Sequence, residues 1–229
     1  MLFSIVTYNR PQYAIESINQ LIASVQKTDV IMVKDDCSKN DVMKHYLYHQ
    51  LSKVIYPHVL IKINDRNIGV EKNNRSRIAL HDFRKEHGDY IYFTDDDMQY
   101  SSEFYAQLMA AKQLIENNQS VGLISLFNID NGNYTGRHMN IADYDNYKIK
   151  FSVGGCSMLI KQSDFLAAML AYKSKKYSGE PGWDWAVCHY LKRSGKVILA
   201  TANSYVQHIG AIGVNSNGDH YETAKNFIP

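Results

Sequence analysis

The chain has 229 residues, 45% of them hydrophobic, which suits one large α/β domain with a full core better than two small ones. Its net charge of +2 demands no polyanionic partner, and no apolar run nears the roughly 20 residues that a membrane span requires. Three scattered cysteines, Cys37, Cys156 and Cys188, argue against a disulfide framework or a zinc site and point to a reducing, cytoplasmic setting.

The opening Met-Leu-Phe-Ser-Ile-Val-Thr has no basic segment ahead of its apolar stretch, so it reads as a first strand and not a signal peptide. That strand, residues 2–7, ends in the polar cluster Tyr8-Asn9-Arg10-Pro11. A helix over 13–25 follows, with Ile15, Ile18, Leu21, Ile22 and Val25 on one stripe. Residues 30–33 form a second buried strand ending in Lys34-Asp35-Asp36-Cys37-Ser38. A helix over 41–53 leads to a strand over 59–63, and the loop Asn64-Asp65-Arg66-Asn67-Ile68-Gly69 opens a long helix through Phe83. A fourth strand, 90–94, runs straight into Asp95-Asp96-Asp97.

Short apolar strands alternating with amphipathic helices specify a mostly parallel sheet flanked by helices, with right-handed crossovers. Ligands gather beyond the carboxyl ends of such strands, and all four strands carry polar clusters there. The second half changes character. A strand over 122–127, a tight turn at Asn131-Gly132 and an extended stretch over 151–160, interrupted by Gly154-Gly155, come first. A helix over 164–172, a polar loop, a helix over 183–192 closed by Gly195 and a strand over 197–200 complete the fold. Neither a repeat nor a linker is visible, so residues 1–229 read as one domain.

Asp95-Asp96-Asp97 is the sharpest chemical signal. Alternation at a strand end lets Asp95 and Asp97 share a face, where two carboxylates repel unless a cation lies between them. Hard oxygen ligands suit Mg²⁺ or Mn²⁺, whose shells substrate phosphates commonly complete; the competing reading is an acidic, solvated turn. Lys173, Lys175 and Lys176 form either a solvated loop or a contact for an acceptor phosphate.

Four segments in order, Ser4-Ile5-Val6-Thr7-Tyr8-Asn9-Arg10, Val33-Lys34-Asp35-Asp36-Cys37-Ser38, Asn67-Ile68-Gly69 and Phe93-Thr94-Asp95-Asp96-Asp97, resemble glycosyltransferase family 2. The resemblance covers about residues 2–210 and implies a single Rossmann-like GT-A domain. Residues 1–127 would form its nucleotide-binding half and 128–229 its acceptor half. It implies that Thr7, Tyr8, Asn9 and Arg10 frame the nucleotide and that Asp36 reads a uracil edge. The resemblance places Asn67 and Gly69 on the same nucleotide surface. Asp95 resembles the ribose-side acid, with Asp96 beside it, and Asp97 resembles the metal ligand. After Gly69 the chain departs from its relatives, and Asn73 stands where a diphosphate or base contact is expected.

Glu180-Pro181-Gly182-Trp183-Asp184-Trp185 resembles the family's Glu-Asp region, although there the two acids are usually adjacent. Asp184 opens a helix on the face of Val187, Cys188 and Leu191. It is either a dipole partner or a base shielded by Trp183 and Trp185, whose indoles suit sugar rings. His208 resembles the histidine that many GT-A enzymes return to the metal, against the ordinary structural alternative. Gly154-Gly155 resembles the point where backbone approaches donor sugar, with a β-bulge as the alternative.

The resulting expectation is an inverting transfer from a nucleotide-sugar, with UDP favoured, to an acceptor hydroxyl with Mn²⁺ or Mg²⁺ bound. The acceptor is a glycan, or else a modified nucleic-acid base. A sugar nucleotidyltransferase would carry a Gly-rich basic signature near the amino terminus, and Tyr8-Asn9-Arg10-Pro11 is not one. A non-catalytic binding module could dispense with the acids that this chain keeps.

Overall fold

A computed structural model describes residues 1–51, 56–69, 88–129, 138–173, 182–213, 216–217 and 222–229. The nucleotide-side half is built from β1 (Leu2–Thr7), α1 (Pro11–Ser24), β2 (Val30–Asp35), α2 (Asp41–His45), β3 (Val59–Ile63) and β4 (Tyr90–Asp95). β1 lies between β2 and β4, and β3 flanks β2, all parallel. Residues alternate between two cores. Phe3, Ile5, Ile31, Val33 and Tyr92 enter one with Ile18 and Leu21 of α1; Leu2, Met32, Ile91 and Phe93 enter the other.

β2 runs further than its apolar stretch, so Lys34 and Asp35 lie inside the strand and are buried. The following helix is shorter than expected: α2 gives way to a wide π turn over Tyr46–Gln50. The long helix expected after Gly69 and the turn expected at Asn131-Gly132 lie outside the described residues, as do Lys175 and Lys176.

Beyond Asp97 come two elements that the periodicity did not announce, β5 (Met98–Tyr100) and α3 (Phe104–Asn117). Phe104, Leu108, Ala111 and Ile115 are α3's buried face. The chain continues through β6 (Val121–Ser125), β7 (Asn140–Tyr144), β8 (Tyr147–Lys150) and β9 (Ser157–Lys161). It then forms α4 (Gln162–Lys173), α5 (Trp183–Arg193), β10 (Val197–Thr201) and β11 (Val206–His208). The extended stretch expected over 151–160 is therefore a connection followed by β9. A β7–β8 hairpin precedes it.

The main sheet has nine strands in the order β3-β2-β1-β4-β9-β6-β10-β8-β7. It is parallel through β4 and mixed beyond, because β9 enters antiparallel between β4 and β6. α4 and α5 pack against each other, and Phe165, Trp183, Val187, Cys188 and Leu191 from them fill the second core. None of the helices formed by the described residues is long and apolar enough to cross a membrane.

Candidate active site

Three loops at the carboxyl ends of β1, β2 and β3 are tied together by short polar side chains. Asn9, in the left-handed region at φ 54°, donates its backbone N–H to Ser38 Oγ at 2.8 Å. Its Oδ1 accepts from the N–H groups of Lys39 and Asn40 at 2.7 and 3.0 Å. Asparagine tolerates this backbone because its amide bonds locally. Asp35 accepts from Ser38 N at 2.8 Å and Ser38 Oγ at 2.5 Å. Asp36 is buried and accepts from Asn64 Nδ2 at 2.7 Å, Ile68 N at 3.0 Å and Gly69 N at 2.8 Å. Gly69 supplies the φ of 81° that the loop needs there. The carboxylate expected to read a base thus also fixes the loop carrying Asn67 and Gly69, and Asn73 lies outside the described residues.

β4 ends at Asp95, and the chain turns through Asp96 and Asp97 into β5. α1 holds that turn: Ser17 Oγ accepts from Met98 N at 3.2 Å, and Gln20 Oε1 from Tyr100 N at 3.1 Å. The turn breaks strand alternation, so the adjacent pair Asp96 and Asp97 converge on one partner. Arg10 Nη1 donates to Asp97 Oδ2 at 2.8 Å and Nη2 donates to Asp96 Oδ1. His208 is a strand residue, paired through β11 with Met98 of β5, and its Nε2 stands 3.2 Å from the same Asp97 oxygen. A Cβ on Gly210 would overlap the Asp97 carboxylate, so only glycine lets the segment after β11 cross this turn.

The acidities diverge. Burial, then the charge of Asp97, pushes Asp95 up to about 7. Burial also raises Asp96, to about 6, against the opposing charge of Arg10. Burial acts on Asp97 too, but the His208 hydrogen bond and the charges of His208 and Arg10 hold it below the usual range. For His208, burial is outweighed by the hydrogen bond and charge of Asp97, and its pKa rises above the ordinary imidazole value.

Among the described residues no three His, Cys, Asp or Glu side chains converge closely enough to enclose a metal by themselves. Asp97 Oδ1 and Asp96 Oδ2 are nevertheless buried without a partner. The donor set therefore fits a divalent ion whose shell is completed by phosphate and water.

β9 brings the second half to this turn. Thr94 pairs with Ser157, so the Gly154-Gly155-Cys156 segment arrives level with Asp95. Burial raises the Cys156 thiol, and Asp95, Asp97 and Asp184 are among the charges that add to the shift. Asp184 lies in the first turn of α5, and its Oδ1 accepts from Trp185 N at 2.9 Å. Burial raises its pKa above the usual aspartate value, opposed by the Trp185 hydrogen bond and by the charge of His138.

The two tryptophans part company. Trp183 packs in the core against Phe93 and Phe165, with ring centroids 5.2 and 6.1 Å away, and a Cβ on Gly155 would strike its ring. Its place is structural, contrary to the expected sugar contact. Trp185 is half-buried in a cluster with His138, Phe151 and His189, whose rings lie 6.0–6.4 Å from it. His189 lies one turn along α5 from Trp185, whereas His138 and Phe151 flank the β7–β8 hairpin, which is distant in the chain and gave no sequence signal. Glu180 lies outside the described residues.

A family model for glycosyl transferase family 2 matches residues 3–166 of the 229. The chain belongs to glycosyl transferase family 2. A comparison with curated proteins finds no match. Solved structures similar to this family 2 chain include GalNAc-T7 with UDP, GalNAc and Mn²⁺ (TM-score 0.68, 15% identity, covering 95% of this chain and 44% of that one). TarS from S. aureus is another (TM-score 0.61, 15% identity, 92% and 61%). A third is the mannosyltransferase PcManGT from Pyrobaculum calidifontis with GDP-Man and Mn²⁺ (TM-score 0.54, 12% identity, 88% and 56%). The chain spans less than two thirds of each of these structures. At such identities the likeness establishes the GT-A fold.

Proposed function

We propose that this chain is a metal-dependent glycosyltransferase moving a sugar from a nucleotide-sugar, preferably a UDP-sugar, to an acceptor hydroxyl with inversion. The observation that carries the reading is the register of β9 on β4, which brings Cys156 level with Asp95, while the backbone of Gly155 is within hydrogen-bond reach of Asp184. Phosphate chemistry and a candidate base thereby flank one stretch of backbone. Residues 1–127 hold the donor, with Thr7, Tyr8, Asn9, Arg10, Asp36, Asn67 and Gly69 on the nucleotide side. Residues 128–229 hold the acceptor. Membership of family 2, and relatives solved with UDP-GlcNAc or with GDP-Man and Mn²⁺, support a nucleotide-sugar donor.

Asp97, His208 and Asp95 are the residues that would hold Mn²⁺ or Mg²⁺. When bound, the ion supplies positive charge where the departing diphosphate develops negative charge. Asp184 removes the acceptor proton, and burial makes its carboxylate a stronger proton acceptor than a solvated aspartate. Trp185 gives the acceptor an apolar wall and excludes water. Gly154 and Gly155 allow the donor sugar to approach backbone. A glycan acceptor suits the aromatic surface around Trp185; a modified nucleic-acid base is the alternative. The test is a panel of nucleotide-sugars with Mn²⁺, read as nucleotide release. Turnover of at least one donor, lost in EDTA, is expected. No turnover of any donor, with or without metal, sinks the reading.

A further inference from the structure

We propose that Arg10 is the resident counter-ion of the aspartate turn, a positioning residue that a divalent cation must displace. The inference rests on the metal reading above and says how this chain keeps the site assembled without metal.

Arg10 is fixed at its backbone by helix hydrogen bonds and at its tip only by the two aspartates. Its carbonyl accepts from Tyr13 N at 3.1 Å and Ala14 N at 2.9 Å, and Pro11 opens α1 immediately after it. The side chain is 28% exposed, so it can swing away without unfolding the helix start. In the structure its two nitrogens engage one oxygen each of Asp96 and Asp97, while the other oxygens, Asp96 Oδ2 and Asp97 Oδ1, have no partner. Buried carboxylate oxygens without donors are costly, so the guanidinium leaves the site only half satisfied.

Charge points the same way. Three consecutive carboxyls, Asp95, Asp96 and Asp97, are set beside one guanidinium and one imidazole. A divalent ion held by Asp97 would compete for Oδ2, which Arg10 and His208 already share, and would supply the positive charge that Arg10 now supplies. Once displaced, the guanidinium stays at the mouth of the β1–α1 loop, where a diphosphate is the ligand of opposite charge.

The test measures Mn²⁺ binding without nucleotide, from the free-Mn²⁺ electron paramagnetic resonance signal, in wild type, Arg10→Met and Arg10→Lys. Thermal unfolding checks each protein's fold. Arg10→Met keeps the apolar stem and removes the competing cation, so its Mn²⁺ affinity should rise at least about tenfold. Arg10→Lys keeps the charge but not the two-pronged grip, and should fall between. Unchanged or weaker affinity in folded Arg10→Met overturns the proposal while leaving the metal reading intact. If Arg10→Met does not fold, Arg10→Lys decides: its affinity must exceed wild type. No Mn²⁺ binding by any of the three, with or without UDP, removes the metal reading and this proposal together.

Discussion

Asp95, Asp96 and Asp97 occupy one turn, yet burial and different neighbours separate their acidities. A carboxyl raised in the folded state above its unfolded value costs stability as pH rises from the unfolded to the folded value. For Asp95 that window runs from 3.8 to about 7, so the metal-free protein should lose stability across it. Asp95→Asn should therefore melt higher than wild type at pH 8 in EDTA, with the gap closing toward pH 4. Each kcal/mol corresponds to about 2–4 °C for a domain of this size, which differential scanning calorimetry resolves. An equal melting temperature at both pH values would remove the charge crowding. The neighbouring question is Asp184. A helix-dipole partner contributes about 0.3–1 kcal/mol to stability, whereas a general base is typically worth about 10²–10⁴-fold in rate. Asp184→Asn should keep UDP and metal binding and lose at least about 100-fold in transfer at saturating donor. If transfer persists while the protein melts earlier, Asp184 is a cap.

At the scale of elements, two short segments decide where functional groups stand. The first is the crossing of the chain over the aspartate turn after β11. Ile209 N donates to Asp97 O at 2.9 Å, and Gly210 lies against the Asp97 side chain. Gly210→Ala must push that carboxylate or the crossing segment aside and disturb its contacts with Arg10 and His208. Mn²⁺ affinity should fall at least about tenfold, and stability by about 1–3 kcal/mol, as for other overpacked sites. Binding and unfolding measured on the same preparation test this, and wild-type values for both would show that the crossing is slack. The second segment is the Asn64–Gly69 loop, pinned by Asp36. If Asp36 also accepts from a uracil N3–H, UDP should bind more tightly than CDP, whose N3 is an acceptor. Asp36→Ala should shrink that gap and lower stability as the loop loses its anchor. Equal UDP and CDP affinities in the wild type would dismiss the base-reading role and leave the anchor.

At the scale of the molecule, the parallel half and the mixed half meet where β9 lies beside β4, and the proposed reaction straddles that seam. Removing metal should therefore abolish turnover without unfolding the protein, because the two cores are independent of the site. Donor turnover in EDTA, and its restoration by Mn²⁺, check this; circular dichroism should not change. Much of this arrangement was legible in sequence. The strands at 2–7, 59–63 and 90–94, the helix carrying Asp184 and the polar clusters at strand ends follow from local periodicity, which covalent geometry imposes whatever the rest of the chain does. Family membership was legible for the same reason, since its motifs are short and ordered. The β7–β8 hairpin, β5 and α3 were not read, and nor was the burial of Trp183. Arg10 meets Asp97 across 87 residues, and His208 reaches it only because β11 pairs with β5. Such meetings depend on which strands become neighbours, a choice settled by the packing of both cores together. The residue types and their local faces were thus determined by the sequence alone; the pairing of β1 with β4, the antiparallel entry of β9 and the crossing after β11 decided which of those residues share one site.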